Sequence, residues 1–334
     1  MSTKIKDYRS QFIQELSPFY DIGEAESFFY FILEEKQKLK RIDLALNLDL
    51  TFSDEEIQLW NSILEQLKEE IPIQYLLGKT SFYGLEFEVN STVLIPRPET
   101  EELVEWIIQG QRSEVRGEKL EVGSGKWGDG SWEMGDGSGK KGEEQSAKFE
   151  QTQQSRKINI LDIGTGSGCI AISLAKNILN AQVFAIDVSE KALATAKKNA
   201  IMNQVEVSFI MADILKTNDL QILPTSNFQL PTKFDIIVSN PPYVRELEKL
   251  EIKKNVLDNE PHLALFVADN DALIFYRKIA DLAQNYPSPN GQLFFEINQY
   301  LGKEMIDLLE KRGFKNVELR KDIYGNDRMI RATI

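Results

Sequence analysis

Ile158-Asn-Ile-Leu-Asp162-Ile-Gly164-Thr165-Gly166-Ser167-Gly168-Cys-Ile-Ala decides the fold. A short apolar strand runs into a turn in which every second residue is glycine, and the turn runs into an Ala- and Ile-rich helix. Glycine takes φ values that other residues resist and lets a ligand approach the main chain closely. Such a strand–turn–helix is compatible with a dinucleotide site or a nucleoside site. The spacing here, Gly-x-Gly-x-Gly, departs from the dinucleotide fingerprint, as does Asp162 standing just before the turn.

Downstream, strands and helices alternate. Strands are predicted at 181–186, 205–210, 234–239 and 291–296, with helices at 191–202, 273–285 and 301–312. Residues 316–319 and 329–334 supply a final pair of strands. Alternation of this kind implies right-handed crossovers and an α/β fold, its mainly parallel sheet covered on both faces. The terminal pair predicts an antiparallel edge. The strands end in chemistry. The second closes on Asp187, roughly twenty residues after the turn, placed to accept hydrogen bonds from ribose hydroxyls. The third closes on Asp213-Ile214, an acid for an adenine edge and an apolar side chain for its face. The fourth, Phe234–Ser239, stops at Asn240-Pro241-Pro242-Tyr243. Proline restricts both itself and the residue before it, so this strand end is rigid. A carboxamide, an exposed carbonyl and an aromatic ring there suit a planar, hydrogen-bonding amide or amine. Each acid taken singly also fits a helix N-cap; four functional strand ends together mark the carboxyl-end crevice of an open α/β sheet.

Upstream, Ile5, Tyr8, Phe12, Leu16 and Phe19 share a helical face. Further helices are predicted at 24–36 and after Ser53-Asp-Glu-Glu, a capping box. Residues 81–90 and Val93-Leu-Ile-Pro read as a hairpin between two domains. Pro98 then opens a helix with acids in its first turn. From 110 to 156 the composition changes, and ten of the twenty glycines fall between Gly110 and Gly142. This is a low-complexity, flexible insertion. Its Gly123-Ser-Gly-Lys lacks the spacing and the preceding strand of a phosphate loop.

The chain has 334 residues and a net charge of −13. An acidic protein is a poor general binder of nucleic-acid phosphates. One cysteine, Cys169, excludes an intrachain disulfide framework, and one histidine, His262, argues against a histidine triad or a multi-histidine metal site. His262 is expected to be structural. No apolar stretch approaches a membrane span or a signal-peptide core.

The glycine turn, Asp187 and Asn240-Pro-Pro-Tyr243 resemble those of class I S-adenosylmethionine-dependent methyltransferases that modify amino groups. Pro72-Ile-Gln-Tyr-Leu-Leu-Gly78, Phe82-Tyr-Gly-Leu-Glu-Phe87, Val93-Leu-Ile-Pro-Arg-Pro-Glu-Thr-Glu-Glu-Leu-Val104, Glu260-Pro-His-Leu-Ala-Leu265 and Tyr324-Gly-Asn-Asp-Arg-Met329 resemble the PrmC/HemK family. The resemblance implies a helical domain over 1–78, a linking hairpin over 79–96 and a methyltransferase domain over 97–334. It implies methylation of the glutamine side-chain amide in the Gly-Gly-Gln motif of class 1 peptide-chain release factors. S-adenosylmethionine would be held by Gly164, Thr165, Gly166, Ser167, Gly168, Asp187, Asp213, Ile214 and Asn240. Asn240, Pro241 and Tyr243 would be catalytic, with Pro242 completing the substrate contact, and Arg97 is expected near cofactor or substrate. A cytoplasmic monomer without nucleic-acid or membrane partners follows. Two departures from the family pattern stand out: Glu296-Ile-Asn-Gln-Tyr-Leu-Gly where a Glu-x-Gly-x-x-Gln is common, and aliphatic Ile214 where an aromatic is common. The alternative is an adenine N6 methyltransferase on DNA or RNA, which shares Asn-Pro-Pro-Tyr but needs a basic face and a way to reach the base.

Overall fold

The computed structural model describes residues 3–116, 157–225 and 228–334. They form two compact units. The first is Met1–Ser81, Glu86–Ile95 and Val244–Ala272; the second is Phe82–Leu85, Pro96–Tyr243 and Leu273–Ile334.

The first unit is built on amphipathic helices, among them Ile5–Leu16, Ile22–Gln37 and Asp54–Lys68. The apolar residues predicted to share a face do so: Ile5, Tyr8, Phe12 and Leu16 are all buried. They meet Phe29, Phe52 and Trp60, whose rings pack with centroids 4.8–5.8 Å apart in tilted or edge-on pairs. Phe19, expected on the same face, is instead 46% exposed, because the helix stops at Leu16 and its face no longer aims inward. The predicted capping box forms. Ser53 N donates to Glu56 Oε2 at 2.7 Å, and Glu56 N donates to Ser53 Oγ at 3.2 Å.

Residues 244–272 are placed by the sequence within the methyltransferase domain, yet they pack with the helical unit. The reason is polar and specific. Glu260, buried, accepts from Ile95 N at 3.1 Å, and Asn259 donates to the Glu70 carbonyl at 3.4 Å. His262 is exposed, its Nε2 2.8 Å from the Leu257 carbonyl oxygen and its ring against Phe266, a structural placement. The hairpin strands Lys79–Phe82 and Leu85–Glu88 turn through Tyr83 and Gly84 at φ 49° and 72°. Two central residues at positive φ make the turn whose twist matches paired strands.

The second unit is a seven-stranded sheet with helices. Its strands in chain order are β1 (Ile158–Ile163), β2 (Ala181–Asp187), β3 (Val207–Met211), β4 (Phe234–Ser239), β5 (Pro287–Glu296), β6 (Lys315–Lys321) and β7 (Asp327–Thr333). Across the sheet the order is β3-β2-β1-β4-β5-β7-β6. The first five strands are parallel, and β7 runs antiparallel to both β5 and β6. The antiparallel C-terminal edge is therefore as predicted. β1 and β4 read as nearly continuous apolar runs, and their Ile160, Leu161, Ile236, Ile237 and Val238 are buried. Parallel strands carry such runs because helices cover both faces.

The chain lays β1 to β3 in one direction and then returns to lay β4 and β5 on the other side of β1. The order reverses between β1 and β4, and open α/β sheets bind ligands at the carboxyl ends of such a switch point. Helix α1, Pro98–Arg116, precedes β1, and α2, Cys169–Asn177, follows it. The flexible insertion expected from 110 is corrected at its start: residues 110–116 extend α1, being mostly good helix formers. The rest of that insertion, including Gly123-Ser-Gly-Lys, lies outside the described residues.

Candidate active site

The glycine turn is held by main-chain hydrogen bonds to the neighbouring strand end. Gly164 N and Thr165 N both donate to the Ile186 carbonyl, at 2.8 and 3.0 Å. Gly164, Gly166 and Gly168 sit at φ +78°, +55° and +82°, values that side chains rarely adopt. Gly166 N donates to Asp187 Oδ2 at 2.8 Å, while Asp187 Oδ1 accepts from Ser189 N at 2.8 Å. Asp187 therefore braces the turn from β2 as well as standing at the crevice. Burial raises its carboxyl above the ordinary range, and the main-chain donors oppose that rise.

Thr165 and Ser167 are buried, so their side chains face inward. Thr165 Oγ1 donates to Asp162 Oδ2 at 2.6 Å, and the Ser167 carbonyl accepts from Asn199 Nδ2 at 2.9 Å. Asp162 is fully enclosed at 0% exposure, and that enclosure pushes its carboxyl up to about 7. Cys169 is also buried, its thiol pushed up to about 12 by loss of solvent. A thiol so raised is no nucleophile at neutral pH.

At the end of β3, Asp213 Oδ1 accepts from Leu215 N at 3.0 Å and Oδ2 pairs with exposed Lys216 at 2.8 Å. That pairing draws the Asp213 carboxyl below its ordinary range. Ile214 is buried and packs into the hydrophobic core of the unit.

β4 delivers Asn240-Pro-Pro-Tyr243 beside the turn. Ser239 Oγ donates to the Ile163 carbonyl at 2.5 Å, tying the end of β4 to the end of β1. A Cβ built on Gly164 would lie 4.0 Å from the Asn240 carbonyl oxygen, its nearest neighbour. The turn and the strand end thus face each other across a gap that glycine leaves clear. Asn240 Nδ2 donates to Thr100 Oγ1 at 3.3 Å, and Thr100 Oγ1 donates to Glu296 Oε2 at 2.6 Å. Tyr243 donates its hydroxyl to the other oxygen, Glu296 Oε1, at 3.0 Å. Asn298 Nδ2 donates to the Tyr243 carbonyl at 3.1 Å. Desolvation first, and then the charge of Glu296, hold the Tyr243 phenol far above its ordinary pKa. Tyr243 is therefore a neutral donor and no base. The charge of Arg97 acts on the same phenol in the opposite sense, which puts Arg97 within electrostatic reach of this cluster.

Thr100, Glu296 and Asn298 are site residues that motif reading misses. One signal was available. β5 is an apolar run, Leu293-Phe-Phe, stopped by an acid, Glu296, the same pattern that singled out Asp187 and Asp213. Thr100 gives no such sign, since it lies in the first turn of a helix among four glutamates.

Two family models match the chain: the PrmC N-terminal domain over residues 7–78 and the methyltransferase small domain over residues 146–264. A release factor glutamine methyltransferase from Flavobacterium psychrophilum is 56% identical over 328 residues, covering 98% of each chain. Relatives of the same description from Bacteroides thetaiotaomicron and Lactococcus lactis are 38% and 36% identical, covering 96% and 89% of each chain. The chain belongs to the release factor glutamine methyltransferase family. The geometry agrees with membership at the level of chemistry. A glycine turn at the switch point faces a rigid carboxamide, and the described residues include no helix long and apolar enough to cross a membrane and no cluster of metal-ligating side chains. For a methyltransferase of this family the crevice between β1 and β4 is the methyl-transfer site.

Proposed function

We propose that this protein transfers a methyl group from S-adenosylmethionine to the side-chain amide nitrogen of the glutamine in the Gly-Gly-Gln motif of class 1 release factors. The observation that carries the reading is near-full-length identity to a release factor glutamine methyltransferase, in a chain whose Asn240 stands at the sheet's switch point. The crevice suits the cofactor. Gly164 and Gly166 present main chain without a Cβ at its rim, and a Cβ at Gly164 would enter the gap to Asn240. The turn from Gly164 to Gly168 would hold the methionine end, with Asn240 bordering it. Asp187 would hold the ribose hydroxyls, and Asp213 and Ile214 the adenine edge and face. When bound, S-adenosylmethionine supplies an electrophilic methyl on a sulfonium.

The protein's task is to present the amide nitrogen, a poor nucleophile whose lone pair is delocalised into its carbonyl. Asn240 Oδ1 and the Pro241 carbonyl accept the two N–H bonds of the substrate carboxamide. Two fixed acceptors set the direction in which the lone pair develops as the nitrogen loses planarity. Pro241 and Pro242 keep those acceptors from moving, and Tyr243 packs on the amide plane. The rate then comes from orientation and from preorganised dipoles rather than from proton abstraction. Asp162, Tyr243 and Glu296 are none of them bases for this step: the first is enclosed, and the other two are committed to each other.

The test is mass spectrometry of a release-factor Gly-Gly-Gln peptide and of an adenine-containing DNA duplex after incubation with enzyme and S-adenosylmethionine. One methyl on glutamine and none on DNA is the expected result. Methylated adenine with unmodified peptide would overturn the substrate class.

A further inference from the structure

We infer that Thr100 and Glu296 are positioning residues that fix which way the Asn240 carboxamide faces. Glu296, at the end of β5, holds Thr100, and Thr100 in turn holds Nδ2, so that Oδ1 is the atom left to meet the substrate. The inference rests on the reading above in one respect only, that the substrate offers N–H donors.

The reasoning is a count of donors and acceptors. Glu296 is 2% exposed and accepts at both oxygens, from Thr100 at 2.6 Å and from Tyr243 at 3.0 Å. Its carboxylate has no proton to give. A threonine hydroxyl has one proton and two lone pairs. With that proton committed to Glu296, Thr100 Oγ1 shows only lone pairs to Asn240. The amide must therefore turn Nδ2 toward it, as it does at 3.3 Å. The flipped amide would set oxygen against oxygen. Oxygen and nitrogen of a carboxamide look alike, and it is the bonding network that assigns them; here the assignment is forced by a charge at the far end of the relay. Among the described residues no other hydrogen bond engages the Asn240 carboxamide, so nothing else fixes its orientation.

The relay carries a condition. It holds the amide correctly only while Glu296 is ionised. Burial raises the Glu296 carboxyl, helped by the negative charge of Glu99, and is opposed by the hydroxyls of Thr100 and Tyr243 and by the charge of Arg328. A protonated Glu296 that donates to Thr100 turns the Thr100 proton toward Asn240. The carboxamide then flips and offers Nδ2, a donor, to a substrate that also donates.

The experiment compares Thr100→Val, which keeps shape and removes the hydroxyl, with Thr100→Ser, which restores it. Loss of one preorganised contact in a catalytic site costs about 10- to 100-fold in rate. Thr100→Val is expected to lose kcat in that range with KM for S-adenosylmethionine unchanged, and Thr100→Ser to recover within about threefold of wild type. The acid limb of the wild-type kcat profile should be absent in Glu296→Gln. Independently of turnover, the side-chain amide resonance of Asn240, identified by its loss in Asn240→Asp, should be protected from exchange in wild type and Thr100→Ser and unprotected in Thr100→Val. Full kcat in Thr100→Val, or equal losses in Val and Ser, would overturn the relay. So would amide protection that ignores Thr100. Wild-type enzyme that leaves glutamine unmodified while the amide signal tracks Thr100 would overturn the substrate reading and leave the relay standing.

Discussion

The two loops that face each other at the switch point solve their tasks by opposite means. The turn from Asp162 to Gly168 works through its main chain. Its side chains are absent or turned inward, and its N–H groups are bonded to β2 within about twenty-five residues along the chain. The strand end Asn240–Tyr243 works through side chains, and their partners come from 140 residues upstream and 53 residues downstream. The contrast teaches where each is vulnerable. Adding an atom should damage the turn, whereas removing one should damage the strand end.

Asn240→Ala is the sharpest cut on the strand-end side. Removing a single preorganised contact from a reacting oxygen or nitrogen typically costs about 100- to 1000-fold in kcat, or about 2.7–4 kcal/mol. The turn is untouched, so the dissociation constant for S-adenosylmethionine, measured by calorimetry, should stay within about twofold. Retained turnover, or a cofactor affinity that collapses with it, would erase the distinction between the two loops.

The same contrast explains what could be read in advance. The glycine turn was legible because its information is local: glycine spacing, an apolar strand before it, a helix after it. The parallel sheet was legible through strands buried on both faces, and the helical bundle through Tyr8, Phe12 and Leu16 on one face. The relay was not legible. Thr100 and Glu296 are 196 residues apart, and only the crossing of the chain from β3 back past β1 to β4 and β5 brings them within 2.6 Å. Hydrogen-bond polarity is a property of that closed network, and no window of sequence contains it. The assignment of 244–272 failed for a similar reason. Glu260 looks like a helix-start acid, and only the fold shows it buried against the Ile95 amide.

Gly168→Ala is the matching cut on the turn. At φ +82° the added Cβ would lie 2.9 Å from Ile172 Cδ1 and 3.1 Å from Ala196 Cβ. The left-handed conformation costs about 1–2 kcal/mol for a non-glycine residue, and overpacking adds about 1–3. A loss of about 2–4 kcal/mol in stability, read from urea unfolding, should accompany weaker cofactor binding. Here binding and folding fall together, where in Asn240→Ala they separate. A stable Gly168→Ala protein with unchanged affinity would mean that the turn is not limited by its lack of side chains.

The smallest effect concerns the one side chain on which the turn does depend. Asp162 is enclosed with a carboxyl pushed up to about 7, against about 3.8 in the unfolded chain. Between those values the folded protein binds the proton and the unfolded chain does not. Stability is therefore full below about pH 4 from this group and is lost as pH rises through about 7. A displacement of that size corresponds to on the order of 4 kcal/mol. Asp162→Asn stays neutral throughout and keeps an acceptor for Thr165, though it forgoes the stronger charge-assisted bond, worth about 1.5–3 kcal/mol. The net gain expected for the variant on moving from pH 4 to pH 8 is about 2 kcal/mol, a few degrees in Tm. Asp187 and Glu296, whose carboxyls are also raised, slope the same way and remain in the variant. The signature is thus a gap between the two Tm curves that opens with rising pH. Parallel curves would show that Asp162 is already charged in the folded protein, and that the turn, like the strand end, is organised around an ionised carboxylate.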